Sequence, residues 1–443
     1  MDQSLLNNFK DPALARDLLQ VIEKLVARIA ENRTAENRTA ENRTTENRTA
    51  ENRTAENRTA ENRLVESCIA EARTVENRAV ENYPQPSSIR IMEVCGTHTV
   101  AIARAGFRSV LPASLKLISG PGCPVCVTAN VDIDRVIALT RIPGVVVATF
   151  GDMIRVPGSS TSLQQRKAQG AAVEVVYSPL DAIKLAEQYA ADGGTTGHNA
   201  AGGGTHVVFV GVGFETTTPL VAATIERAAA RGLANFSVLA VHKRVPPALE
   251  ALANDAEVAV DALILPGHVS TILGAQPYGF LAEKYHIPGA ITGFEPVDIL
   301  QGIALLLEQI RAREAGEADA AIEIAYKRAV MQEGNPTALA AIDAVFENTD
   351  ATWRGLGTIE QSGYSIREKY AVYDANRRFA AELSALQEPT VEPRGCRCGT
   401  VLRGVIPPSA CPLFGRACTP QNPIGPCMVS SEGTCAAYFR YAL

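Results

Sequence analysis

From residue 89 the chain alternates short β-branched runs with longer stretches of helical period. IRIMEVC (89–95), VVVATF (145–150), VEVVY (173–177), HVVFVGV (206–212), SVLAV (237–241), ALILP (262–266) and PGAITG (288–293) read as strands. Helical stretches follow several of them: PLDAIKLAEQYA (179–190), PLVAATIERAAA (219–230), PPALEALAN (246–254) and PVDILQGIALLLEQI (296–310). Strand–helix alternation of this kind predicts parallel sheets covered by helices, here two α/β units. The Gly-rich stretch DGGTTGHNAAGGGT (192–205) reads as the linker between them. Beyond about residue 330 the pattern turns to helices and then to a Pro/Gly/Cys-rich tail.

Ahead of this body, DPALARDLLQVIEKLVARIA (11–30) has helical apolar spacing and an Asp-Pro start, as a docking helix would. Residues 31–63 then repeat the pentapeptide ENRTA, with decayed copies up to Tyr83-Pro84. Five residues advance about 140° on a helix, so Ala and Thr form no continuous apolar stripe. Arg33 and Glu36 recur at i,i+3 spacing, which supports a solvated helix with nothing to bury. The expected organisation is an N-terminal helix (1–30), an exposed repeat insertion, helical or disordered (31–86), α/β units at 87–205 and 206–330, and a helical, Cys-rich module at 331–443.

Charge narrows the function classes. A net charge of −6 gives no basic footprint for nucleic acid. No apolar run approaches the roughly 18 residues of a membrane span. MDQSLLNNFK lacks the charged and apolar regions of a signal peptide, so a cytoplasmic protein is expected. In a reducing compartment, ten cysteines are metal ligands or redox groups before they are staples. They cluster: Cys95, Cys123 and Cys126 form one group, and six lie between Cys396 and Cys435, with Cys68 incidental in the repeat region.

In EVCGTHT (93–99) a strand runs straight into Cys95, placing the thiol at a carboxyl strand end, where α/β sheets bind ligands. His98, three residues on, could depress the Cys95 pKa or shuttle a proton. GPGCPVC (120–126) pairs Cys123 with Cys126 as half a zinc site or a redox dithiol ahead of the helical VTANVDIDRVIAL (127–139). With Cys95 added, three thiolates suit a soft or borderline metal with an open position. In VGVGFETTTP (210–219), Gly211 and Gly213 imitate a dinucleotide fingerprint. However, Thr216 replaces its third glycine and Val241-His242-Lys243 stands where its acid belongs, which excludes that reading. Thr216 to Thr218 read as helix caps. Glu215, His268 in ILPGHVS (264–270) and Glu295 in TGFEPVD (292–298) are polar tips at successive strand ends, pointing to one cleft. The six tail cysteines lack paired CxxC hooks for zinc, and their wide spacing beside prolines favours iron–sulfur ligation with two thiols left over as a dithiol.

CGTHT, GPGCPVC, TFGDMIRVPGS, GFETTTP, PGHVS, GFEPVDIL and the Cys-rich tail, in this order over nearly all of residues 89–443, resemble the HypD family of hydrogenase maturation factors. The pentapeptide array departs from that pattern as an insertion. The resemblance implies a scaffold for the Fe(CN)2CO group of [NiFe] hydrogenases, working with a small HypC-type chaperone and accepting cyanide from a HypE/HypF pair. It implies iron at Cys95, Cys123 and Cys126, with Cys95 the most direct ligand. The family's cluster spacing falls on Cys396, Cys411, Cys418 and Cys435 as ligands of a [4Fe–4S] cluster, which leaves Cys398 and Cys427 as the redox dithiol. Two similar α/β domains flanking a cleft and a third, cluster-bearing domain are the implied architecture. A competing reading of the same cysteines is an iron–sulfur-dependent disulfide reductase acting on a protein substrate.

Overall fold

The computed structural model describes residues 10–55, 88–191 and 204–441, with the side chains of 36–55 excepted. Cys68, the later repeats and most of the Gly-rich linker lie outside the described residues. Eleven strands are described: β1 (Ile89–Glu93), β2 (Leu115–Ser119), β3 (Val145–Thr149), β4 (Val173–Val175), β5 (His206–Gly211), β6 (Phe236–Ala240), β7 (Ala262–Leu265), β8 (Gly289–Ile291), β9 (Ile322–Ile324), β10 (Phe346–Trp353) and β11 (Gly357–Ile366). A five-stranded parallel sheet has the order β2-β1-β7-β8-β9, and a four-stranded parallel sheet the order β4-β3-β5-β6. Every residue of β3, β5 and β7 is buried, which is why their sequences are unbroken apolar runs rather than alternating ones.

The fold class is α/β, as expected, but the sheets do not divide the chain at residue 205. The five-stranded sheet takes its strands from 89–119 and again from 262–324, and the four-stranded sheet is inserted between them over 145–240. Local periodicity identifies a strand without naming its neighbours, so the sequential expectation of 87–205 and 206–330 had no means of seeing this insertion. The region after 330 has helices as expected, among them Pro336–Val345 and Thr434–Tyr441, and adds the antiparallel hairpin β10–β11.

That hairpin sits at the crossings between the sheets. Trp353 forms a bridge with Thr128 and Gly363 with Lys243, the two places where the chain leaves and re-enters the five-stranded unit. Arg354 N–H donates to the Val127 carbonyl at 2.8 Å and its Nε to Thr128 O at 3.2 Å. Lys243 is itself buried in an ion pair with Asp132 at 3.0 Å.

The N-terminal helix (Pro12–Ala55) packs on helix Pro296–Glu314 through Ala15, Leu19, Ile22, Val26 and Ile29, all buried. Their alternating spacing of four and three makes one stripe, and burying each large member contributes about 1.5–3 kcal/mol. The helix does not end with the stripe. Arg33, in the first repeat, reaches Asp261 at 2.6 Å and Glu314 at 2.7 Å, so this copy is bound to the body rather than solvated. Glu295, expected as a cleft tip, instead joins Asp298 in a capping box for helix Pro296–Glu314 and pairs with Lys10. Among the described residues no helix is long and apolar enough to cross a membrane.

Candidate thiol and metal site

Cys95 follows β1 by two residues and forms the N-cap of helix Gly96–Arg104. The thiol is buried, and burial pushes it up to about 12, with the backbone N–H groups of His98 and Thr97 drawing it down by less. Desolvation thus outweighs the helix N-terminus, whose effect on a charge is about 0.3–1 kcal/mol. Cys95 is therefore a protonated thiol, and a metal would have to displace its proton to bind there. Beneath it, Glu93 is fully buried; its Oε1 accepts from Thr99 Oγ1 at 2.7 Å and its Oε2 from Cys95 N–H at 3.4 Å. Burial raises Glu93 to about 7.

The His98 ring is turned to another partner. Its Nε2 lies 2.9 Å from both Gly293 O and Thr292 Oγ1, and the ring stacks on Phe294 at 4.6 Å. A carbonyl can only accept, so Nε2 carries the proton and the buried Nδ1 is bare. Burial lowers the His98 pKa to about 4, which keeps the ring neutral.

The second thiol group packs directly against Cys95. Gly96 N–H donates to Gly122 O at 2.8 Å, and a Cβ on Gly122 would lie 2.2 Å from Cys95 N. Glycine at 122 is what lets the GPGCPVC loop touch the Cys95 backbone. Cys123 then caps the short helix Pro124–Val127, its Sγ accepting from Cys126 N–H at 3.3 Å. The two sulfurs are 2.6 Å apart and both are buried. Burial, reinforced by the hydrogen bond with Cys123, holds Cys126 well above the ordinary thiol range.

Cys126 also meets the tail. Its thiol lies 3.8 Å from the Pro426 carbonyl oxygen, next to Cys427, and the Cys126 and Cys427 side chains act on one another's ionisation. Cys398 Sγ and Cys427 Sγ are 2.8 Å apart, and the neighbouring Cys398 pushes the Cys396 thiol up. All six tail cysteines line one small cavity closed by Val401, Leu413, Phe414 and Met428. Ile424 N–H donates to Cys418 Sγ at 3.3 Å, the kind of contact that stabilises a cluster thiolate. Four thiols from separate loops, an apolar wall and N–H donors to sulfur form a donor set that fits an iron–sulfur cluster. Among the described residues no three His, Cys, Asp or Glu side chains converge tightly enough to hold a single metal ion. Cys95 and the Cys123/Cys126 pair thus stand on touching loops without forming a closed three-thiol cage.

The remaining expected residues divide. Glu215 is fully buried, its Oε1 accepting from Val245 N–H at 3.0 Å while Oε2 has no partner. Burial first, and then the Glu215 carboxylate, push the Tyr278 hydroxyl up. Thr216 is exposed. The expected caps reverse direction: Thr217 and Thr218 donate their hydroxyls to Phe214 O rather than accepting from the helix. His268 is exposed and also lies against the Phe294 ring, with centroids 4.0 Å apart.

Burial raises Glu215 to about 7 against an ordinary 4.5. Between these values the folded chain keeps a proton that the unfolded chain loses, so Glu215 lowers stability as pH rises through this window. Above pH 7 that cost is about 3 kcal/mol. Glu215→Gln keeps the acceptor for Val245 and is expected to exceed the parent by about that amount at pH 8 and to match it near pH 4.5. Urea unfolding at both pH values measures the gap. The buried histidines His98, His206 and His242, all lowered by burial, slope the other way in both proteins and cancel from the difference. A gap of the same size at both pH values would contradict the assignment.

Comparison with known proteins gives this arrangement its context. The family model described as "HypD: Hydrogenase formation hypA family" matches residues 70–442. The chain belongs to the HypD family. It is 45% identical over 354 residues to the hydrogenase maturation factor HypD of Rhodobacter capsulatus, covering 80% of this chain and 89% of that protein. It is 43% identical over 360 residues to HypD of Escherichia coli, covering 81% and 91%. A putative hydrogenase expression/formation protein of Methanocaldococcus jannaschii is 42% identical over 353 residues, covering 80% and 92%. This HypD-family chain is accordingly a hydrogenase maturation factor.

Sequence reading passed over several neighbours of the site. Glu432 accepts from Thr97 Oγ1 at 2.8 Å and packs so closely on Gly96 that a Cβ there would lie 2.7 Å from the Glu432 Cβ. Glu93 lies within a strand pattern, and Phe294 and Thr292 within the TGFEPVD motif, with no sign in the sequence of their contacts. Each acts through a contact distant in sequence, and no local pattern signals it.

Proposed function

We propose that the chain assembles the Fe(CN)2CO group of [NiFe] hydrogenases, with Cys95 as the thiolate that holds the iron being built and Cys123/Cys126 as the adjoining redox pair. A HypC-type chaperone would share the iron, and a HypE/HypF pair would deliver cyanide. The observation carrying this reading is the line of thiols from Cys123 to Cys126, 2.6 Å apart, and on from the Cys126 thiol against Pro426 O to Cys427 and Cys398, 2.8 Å apart, which brings the GPGCPVC loop beside the six-cysteine cavity. Low-spin Fe(II) bearing cyanide and carbon monoxide is stabilised by soft thiolate donors, and a thiol that ionises only on binding metal suits a carrier that must later release it.

In the same reading Cys396, Cys411, Cys418 and Cys435 hold a [4Fe–4S] cluster, which would supply single electrons beside the dithiol. The residues of the chain do the rest. Two hydrogen atoms can pass from the Cys398/Cys427 dithiol to a Cys123–Cys126 disulfide, with Cys126–Cys427 as the mixed disulfide between them. His98, tied to Gly293, fixes the turn whose N–H groups point at Cys95.

Alanine variants of the tail separate these roles. Cys411→Ala is expected to abolish the visible absorption of the anaerobically purified protein. Cys398→Ala is expected to keep that absorption and lose most hydrogenase maturation. Loss of colour in Cys398→Ala, or its retention in Cys411→Ala, would overturn the division of the six thiols.

A further inference from the structure

A cavity of about 590 Å³ opens at the free edge of the five-stranded sheet, where β2 is paired on one side only. Its walls are β2, Arg90 of β1, the segment from Arg108 to Ala113, and the tail from Gly404 to Pro408 with Val401, Thr434 and Tyr438. Among the described residues Arg90, Arg108 and Lys116 line it, and no carboxylate does. In a chain of net charge −6 this is a local inversion of sign.

The two arginines are short of acceptors. The Arg108 guanidinium lies 4.3 Å from the Tyr438 ring centroid, so the ring covers one face and holds the plane. Its Nε and Nη1 are buried without a hydrogen-bond partner, and Nη2 reaches only Ser119 Oγ at 3.5 Å. Arg90 Nε is also buried and unpartnered. Asp261, beside Arg90, is already engaged, accepting from the Arg90 backbone N–H and from Arg33, and Glu93, near Arg108, accepts from Thr99 and the Cys95 N–H. Buried N–H donors are almost always paired, so three orphans on two guanidinium groups beside one cavity mark a missing acceptor. Water could accept those bonds but would not answer the charge, whereas a carboxylate or phosphate does both.

We propose that this cavity binds a small organic oxyanion, its carboxylate or phosphate head held by Arg108 and Arg90 and its apolar body lying against Leu111, Ile118 and Ile406. The site touches both functional parts of the fold. Thr434 and Tyr438 belong to the helix that carries Cys435, and Val401 to the helix that starts at Cys398. Arg108 reaches Ser119, which stands beside Glu93 in the β1–β2 register, and Glu93 in turn accepts from Thr99 and the Cys95 N–H. An anion that draws Arg108 from Ser119 therefore acts on the seat of Cys95 as well as on the tail.

Isothermal titration of the full-length, anaerobically purified chain with inorganic phosphate, phenyl phosphate and benzoate at constant ionic strength tests the site. One-site saturation is expected with phenyl phosphate or benzoate, whichever carries the matching head group, and at least tenfold more tightly than with inorganic phosphate. Arg108→Gln and Arg90→Gln should each weaken binding at least tenfold, while Lys116→Gln, on an exposed lysine, should change it less than threefold. Arg108→Lys, which keeps the charge but loses the planar donors, covers the case in which Arg108→Gln does not fold, and it too should weaken binding tenfold. The proposal is overturned if neither organic anion saturates, if inorganic phosphate binds as tightly as both, or if the folded Arg108 variants bind like the parent.

Discussion

Gly122→Ala is expected to destabilise the chain by about 3 kcal/mol and to abolish maturation. The added Cβ would sit 2.2 Å from Cys95 N and 2.4 Å from Cys95 Cα, and neither is a flexible side-chain end that can swing aside. Overpacking of this kind costs about 1–3 kcal/mol by itself. The forced separation also stretches the Gly96 N–H to Gly122 O bond, worth about 0.5–1.5 kcal/mol. Relief can come only by moving the GPGCPVC loop off the Cys95 loop, so the two thiol groups part even if the chain folds. Gly151→Ala provides the comparison. Its nearest neighbour would be Val175 Cγ1 at 3.8 Å, and a change within about 0.5 kcal/mol is expected. Urea unfolding of both variants checks the pair, and equal stability would show that the close approach at Gly122 is unimportant.

Cys126→Ala is expected to leave the tail absorption intact and reduce hydrogenase maturation to under a tenth of the parent. Cys126 lies 2.6 Å from Cys123 and reaches the Pro426 carbonyl beside Cys427, so removing it severs the path at its middle. Losing a buried sulfur in so small a residue costs about 1–2 kcal/mol, too little to unfold a domain of ordinary stability. Cys126→Ser restores the shape and a polar group but no redox chemistry, and should fail equally. Maturation near the parental level in either variant would remove the path from the account.

Much of this arrangement is legible in the sequence. All seven strand runs from IRIMEVC to PGAITG form strands, because buried parallel strands need β-branched residues without polar interruption. Cys95 lies just past a strand end because the polar GTHT stretch ends the apolar run. What stayed hidden has one cause: contacts between distant segments leave no local period. The assignment of β1 and β7 to one sheet is of this type, as are the ion pairs of Arg33, the packing of Glu432 on Gly96 and the meeting of Cys126 with Cys427. The missed strands make the same point. LKLIS carries a lysine at a sheet edge, β9 has three residues, and the exposed FENTDATW of β10 has no apolar alternation to announce it. The six-cysteine cavity was foreseeable from composition, but its contact with the GPGCPVC loop was not.

The central claim is that iron carrying cyanide and carbon monoxide is built on Cys95. Infrared spectroscopy of the chain purified anaerobically with its HypC-type partner tests it most directly. The account predicts C≡N and C≡O stretching bands in the parent complex and their absence from Cys95→Ala that still binds the partner. Bands of undiminished strength in that variant, or none in the parent, would contradict it.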